Sequence, residues 1–202
     1  MPSRPGSGIV GRTKKNAIRD RAWIIFKDES GFSLTPSVPR TWAPRGKTPV
    51  LVHRQRNWTR ISAAAVVCYR WDGRRARLYV HLRPGSYNEE SLIEVLKDLR
   101  RHFRGKKVLM LWDGLTCHKS NLMRTFLESQ SSWLTVERLP AYAPDLNPAE
   151  GLWAKIKGRE LANRCDLEVA DTVTAARIGI NRIGRHQQLL FAFLGQTGLS
   201  FD

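Results

Sequence analysis

The sequence predicts an α/β fold, a sheet flanked by helices, and three stretches carry that reading. Val108–Trp112 (VLMLW) is wholly apolar and too short for a helix, as expected of a strand buried on both faces. Ile61–Tyr69 and Ala76–Leu82 are joined by Trp71-Asp72-Gly73-Arg74, in which Asp-Gly is a hairpin signal. Ser86–Phe103 sets Leu92, Ile93, Val95, Leu96 and Leu99 at helical spacing, the pattern of an amphipathic helix lying on a sheet.

From the start of the chain, residues 1–21 (MPSRPGSGIVGRTKKNAIRDR) are rich in Gly, Ser, Pro and basic residues and predict a basic, flexible linker or tail. The core begins at AWIIFK, a strand expected over 22–28 that runs into the acid pair Asp28–Glu29. Across 32–60, prolines at 36, 39, 44 and 49 exclude a helix and predict an extended hairpin or loop. The hairpin and the 86–103 helix follow, and Gly105 is the expected helix stop. Next come a strand over 107–113, a helix over roughly 117–130 and a strand over 134–139. The chain then turns through Pro140 and Pro144 into a helix over 147–163, with Asn147 as N-cap and Pro148 in the first helical position. In 166–202, Val169, Val173, Ile178, Ile180, Ile183 and the run LLFAF predict one or two C-terminal helices, whose boundaries Gly179, Gly184 and Gly195 obscure. Residues 22–202 are therefore expected to form one domain, a size that suits a single α/β core with modest additions.

The charge balance narrows the function. Lys and Arg number 34 against 18 acids, a formal net charge of +16, which points to a polyanionic partner. The cations gather: Arg40, Arg45, Lys47, Arg54 and Arg56 lie among the prolines with Trp42 and Trp58, a mixture suited to a phosphate backbone and a base to stack on. Trp42 equally suits closing an edge of the core. Cys68, Cys117 and Cys165 are scattered and odd in number, which supports neither a zinc site nor a disulfide framework. No apolar stretch approaches the ~18 residues of a membrane span. These features predict a cytoplasmic, nucleoid-associated protein.

Three acids carry the candidate chemistry. Asp113 ends the apolar strand at the carboxyl edge of the sheet, where open α/β folds place their sites. The 36 residues between Asp113 and Glu150 hold one helix, one strand and one turn, enough to bring the second acid back beside the first. The strand over 22–28 supplies a third, and the residues alone do not choose between Asp28 and Glu29. Glu150 has another reading, since Asn147-Pro-Ala-Glu150 is a capping-box arrangement. Three carboxylates from separate elements suit a pair of Mg²⁺ ions about 3.5–4 Å apart, which activate an attacking oxygen and stabilise a leaving one. His118 either orients a phosphate or the attacking water or faces solvent at a helix start, and Lys119 flanks the acids. Lys155 and Arg159, four apart, share a helix face suited to phosphate contact or simply to solvent.

The strings DESGF, RTWAPRGKTP, LMLWDGLTCHKS and LPAYAPDLNPAEGLWAKIK resemble the catalytic domain of DDE transposases of the mariner-related superfamily, in its bacterial insertion-sequence branch, from residue 22 to about 197. The resemblance implies a ribonuclease-H-like fold, a mixed five-stranded sheet flanked by helices. It implies Mg²⁺- (or Mn²⁺-) dependent cleavage of transposon ends and joining of the freed 3′-OH to target DNA. It matches Asp28, Asp113 and Glu150 to the three metal-binding catalytic acids, and so favours Asp28 over Glu29 by resemblance only. Double-stranded DNA, both transposon ends and target, is the implied partner, bound by a homodimer. Two departures stand out. The 21 residues before the first strand cannot hold the helix-turn-helix region that reads transposon ends, so the chain resembles a catalytic half, either of an element whose reading frame is split, with a separate helix-turn-helix chain as partner, or of a truncated copy. Gly114 stands where the family often has Asn. The competing readings are a ribonuclease-H-type host nuclease without strand transfer and an inactive DNA-binding remnant.

Overall fold

The computed structural model describes residues 7–33, 38–52, 60–113, 120–140 and 143–201. Five strands, β1 (Trp23–Ser33), β2 (Arg60–Tyr69), β3 (Ala76–Pro84), β4 (Val108–Trp112) and β5 (Leu134–Arg138), form one sheet in the order β3-β2-β1-β4-β5. The hairpin strands are antiparallel to their neighbours, whereas β1–β4 and β4–β5 are parallel, so the sheet is mixed, as expected. Gly73, at φ +67°, makes the β2–β3 turn, and Asp72 accepts the Arg74 N–H (3.2 Å), which is turn chemistry.

Helices α2 (Glu89–His102) and α3 (Asn121–Ser129) cover one face of the sheet. Leu92, Leu96, Leu99 and Met123 pack there on Trp23, Ile25, Val66, Met110 and Trp112. Asn88 and Ser91 cap α2 reciprocally, and Ser120 caps α3. The other face carries α4 (Pro148–Lys155), α5 (Val169–Gly184) and α6 (Gln187–Gln196) on Ile24, Phe26, Ala65, Val67, Leu109 and Leu111. Strand alternation divides the two sets, successive side chains going to opposite layers. Every residue of β4 is buried, which is why its run needs no polar alternation.

Several expectations need correction. The first 21 residues do not form only a flexible tail: α1 (Ser7–Asp20) docks against the sheet, with Ala17 and Thr13 fully buried and the Thr13 hydroxyl bonded to Glu137 of β5. The first strand does not stop at 28 but runs to Ser33, because β2 stays paired with it to Arg60. The helix placed over 147–163 is shorter. It ends at Lys155 and passes into a π turn, Ile156–Glu160. Gly179 lies inside α5 rather than at a boundary: a Cβ there would collide with the Glu160 side chain, which crosses at that point to meet Arg182. Among the described residues no helix is long and apolar enough to cross a membrane.

Candidate active site

Strand register brings the first two acids together. β1 and β4 run parallel with Trp23 beside Val108 and Lys27 beside Trp112, so the next step sets Asp28 beside Asp113. Neighbouring strands lie about 4.8 Å apart, and side-by-side positions face the same way. Ile24, Phe26, Leu109 and Leu111 all belong to the layer under α4, α5 and α6, and the period of two carries Asp28 and Asp113 to that same face.

The third acid arrives on α4. Leu152, Trp153 and Ile156 are buried against the sheet and anchor the helix. Its cap is Asn147, whose side chain accepts the Ala149 N–H at 3.1 Å, while the Asn147 N–H donates to the Pro144 carbonyl at 2.8 Å. Glu150 is thus not taken up by a capping box; its side chain is exposed and lines a cavity of about 410 Å³ between α4 and α6.

Asp28 is 7% exposed, and its Oδ2 accepts a hydrogen bond from the Trp153 indole N–H at 2.7 Å. Its pKa is pushed up to about 7, chiefly by burial. The Trp153 hydrogen bond opposes the rise, and repulsion from Glu150, Glu29 and Asp113 adds to it. Asp28 therefore lies within the field of both other expected acids. Hard carboxylate oxygens are the donors that a divalent cation such as Mg²⁺ takes. Among the described residues, no three His, Cys, Asp or Glu side chains already form a group that could hold a metal ion. The donor chemistry fits, but the cage is not closed.

The acid beside Asp28 lives in a different place. Glu29 points to the α2/α3 side of the sheet and pairs with Lys27, which is fully buried with its Nζ 4.2 Å from the centre of the Trp112 ring. Sequence reasoning passed over both Lys27 and Trp153. The signals were a lysine closing an apolar run and an indole donor three residues after Glu150.

The other expected residues are dispersed. Arg40, Trp42, Arg45 and Lys47 stand on an exposed stretch, and Trp42 is fully exposed, so it does not close an edge of the core. Lys155 ends α4, but Arg159 belongs to the π turn beyond it and lies 3.8 Å from Glu160. His118, Lys119, Arg54 and Arg56 lie outside the described residues, as do Gly114, Cys117 and Trp58.

Comparison with known proteins gives the arrangement a family. The sequence pattern of a family described as DDE superfamily endonuclease matches residues 23–168, a span that includes all three acids. The chain belongs to the DDE superfamily endonucleases. No curated protein matches it. Solved structures of the Mos1 mariner transposase share the DDE endonuclease fold seen here. A paired-end complex with the left transposon end is 20% identical (TM-score 0.57), covering 96% of this chain and 60% of that one. A pre-cleavage transpososome is 19% identical (TM-score 0.58), with coverage of 96% and 60%. A paired-end complex with Mg is 18% identical (TM-score 0.58), with coverage of 98% and 63%. The sheet and its flanking helices are thus of the ribonuclease-H-like type, and this DDE endonuclease chain spans about three fifths of the length of those transposases.

Proposed function

We propose that this chain is the catalytic part of a DNA transposase that cleaves phosphodiesters at transposon ends and joins the freed 3′-OH to target DNA. The observation that supports the reading most is the parallel β1/β4 register, which sets Asp28 beside Asp113, together with the repulsion that Glu150 and Asp113 exert on Asp28. Family membership and likeness to Mos1, solved in complexes named for transposon ends, for Mg and for Mn, support it.

Asp28, Asp113 and Glu150 would hold two Mg²⁺ or Mn²⁺ ions, which supply activation of the attacking oxygen and stabilisation of the leaving one. Asp28 lies on the paired strand β1 and Asp113 directly follows the paired strand β4, whereas Glu150 comes from an exposed helix start, so it has freedom to close the set. The net charge of +16 draws DNA toward the protein, and the acid edge keeps a local place for cations within that field. Arg40, Arg45 and Lys47, with Trp42 between them, offer phosphate contacts and a stacking surface; Lys155 and Arg159 do so beyond Glu150. A second copy of the chain and a separate helix-turn-helix chain are the partners in this reading, and the cytoplasmic nucleoid is its place.

Incubation with Mg²⁺ and a duplex carrying the element's ends tests the proposal. Joined products are expected. Cleavage without joining would point to a host nuclease, and binding alone to an inactive remnant.

A further inference from the structure

We propose that Trp153 is a positioning residue of the acid site: its indole N–H holds one carboxylate oxygen of Asp28 and leaves the other aimed at the edge shared with Asp113 and Glu150. The inference rests on the metal-binding reading above.

A buried carboxylate needs donors, and among the described residues the side chain that donates to Asp28 is Trp153, at 2.7 Å. The partners lie 125 residues apart in sequence and are both buried, at 7% and 3% exposure, so solvent does not compete for the bond. A neutral donor suits the position. It fixes the orientation of the carboxylate while leaving its negative charge for a cation, which an arginine or lysine there would neutralise.

The location of Trp153 matters as much as its bond. It lies three residues after Glu150 on the eight-residue helix α4, within the spacing at which helical side chains are neighbours. One short helix therefore carries both the third acid and the clamp on the first. The indole is braced from β1 as well: Phe32, on the same strand face as Asp28, meets it edge-on with ring centres 5.9 Å apart. On the far side of α4, Gly151 lets α6 press close, since a Cβ there would stand 2.8 Å from the Phe193 ring. The helix is held between β1 and α6, and the Trp153–Asp28 bond ties the placement of Glu150 to that of Asp28.

The test uses the whole chain with Mn²⁺ and Mg²⁺ as probes. Trp153→Phe keeps an aromatic ring and removes the donor. Calorimetric titration should show Mn²⁺ binding weakened about 10–100-fold, the usual loss when an outer partner of a ligand is removed. Leu152→Val trims packing on the same helix without touching a polar group, and should lower the melting temperature while leaving Mn²⁺ affinity near wild type. In ¹⁵N-tryptophan-labelled protein, the indole resonance missing from Trp153→Phe should shift on adding Mg²⁺, more than those of Trp23, Trp71 and Trp133. Unchanged Mn²⁺ affinity in Trp153→Phe, or an equal loss in Leu152→Val, would overturn the positioning role. A wild-type chain that binds no Mn²⁺, though its Trp153 indole resonance shows the bond to Asp28, would instead overturn the metal reading, and the role with it.

Discussion

Residues 27–29 of one strand face two unlike environments. On the α2/α3 side, Lys27 and Glu29 neutralise each other beneath the Trp112 ring. On the α4 side, Asp28 meets acids and a neutral indole, and its pKa rises to about 7. Both sides bury ionisable groups, an oppositely charged pair on one and an acid among like charges on the other. A buried pair of opposite charges is structural, whereas a buried acid repelled by neighbouring acids favours the approach of a cation or a proton.

The largest expected effect is on the Asp28 side. Asp113→Asn should abolish Mg²⁺-dependent cleavage in a plasmid or end-duplex assay while preserving or tightening DNA binding, because it removes a negative charge beside the phosphate. Full cleavage by that variant would remove Asp113 from the site. On the Lys27–Glu29 side, Lys27→Met leaves Glu29 without its buried partner and should destabilise the fold by about 3–5 kcal/mol in urea unfolding. The double variant Lys27→Met/Glu29→Gln should regain most of that and still cleave DNA. Failure of the double variant to cleave would bring the Lys27–Glu29 side into the chemistry.

The pH dependence of stability separates the two sides further. Because the folded-state pKa of Asp28 lies above the usual carboxylate value, the folded protein binds its proton more tightly than the unfolded chain does. The group's contribution to stability is present at low pH and is lost as pH rises from about 4 toward 7, by a few kcal/mol at most. Asp28→Asn should flatten that slope and stabilise the metal-free protein at pH 8. A slope that survives the substitution would assign the raised pKa elsewhere. The smallest effects are expected on the exposed stretch. Arg45→Ala or Lys47→Ala should each lower the salt slope of DNA binding by about 1 and leave the melting temperature unchanged.

Legibility followed burial. β4 could be read because it is apolar on both faces, α2 because its stripe is clean, and the β2–β3 turn because Asp-Gly has few other uses. α1 was missed because its Gly, Ser and basic residues carry little local signal; what orders it is tertiary, through Ala17 and Thr13. The extension of β1 past Asp28, through Glu29-Ser-Gly-Phe-Ser, was hidden by its small and polar residues; what orders it is its pairing with β2. Glu150 was legible as an acid at a helix start, but its freedom from the cap depended on Asn147 donating to Pro144. The choice between Asp28 and Glu29 could not be read locally. Alternation says that they face opposite ways, but only the placement of α4 says which way the site lies.

Mn²⁺ binding measured by calorimetry on five proteins tests the central claim most directly: wild type, Asp28→Asn, Asp113→Asn, Glu150→Gln and the double variant Lys27→Met/Glu29→Gln. The account predicts that each single substitution weakens binding sharply and that the double variant binds like wild type. Equal weakening in the double variant, or undiminished binding in any of the three single variants, would contradict it.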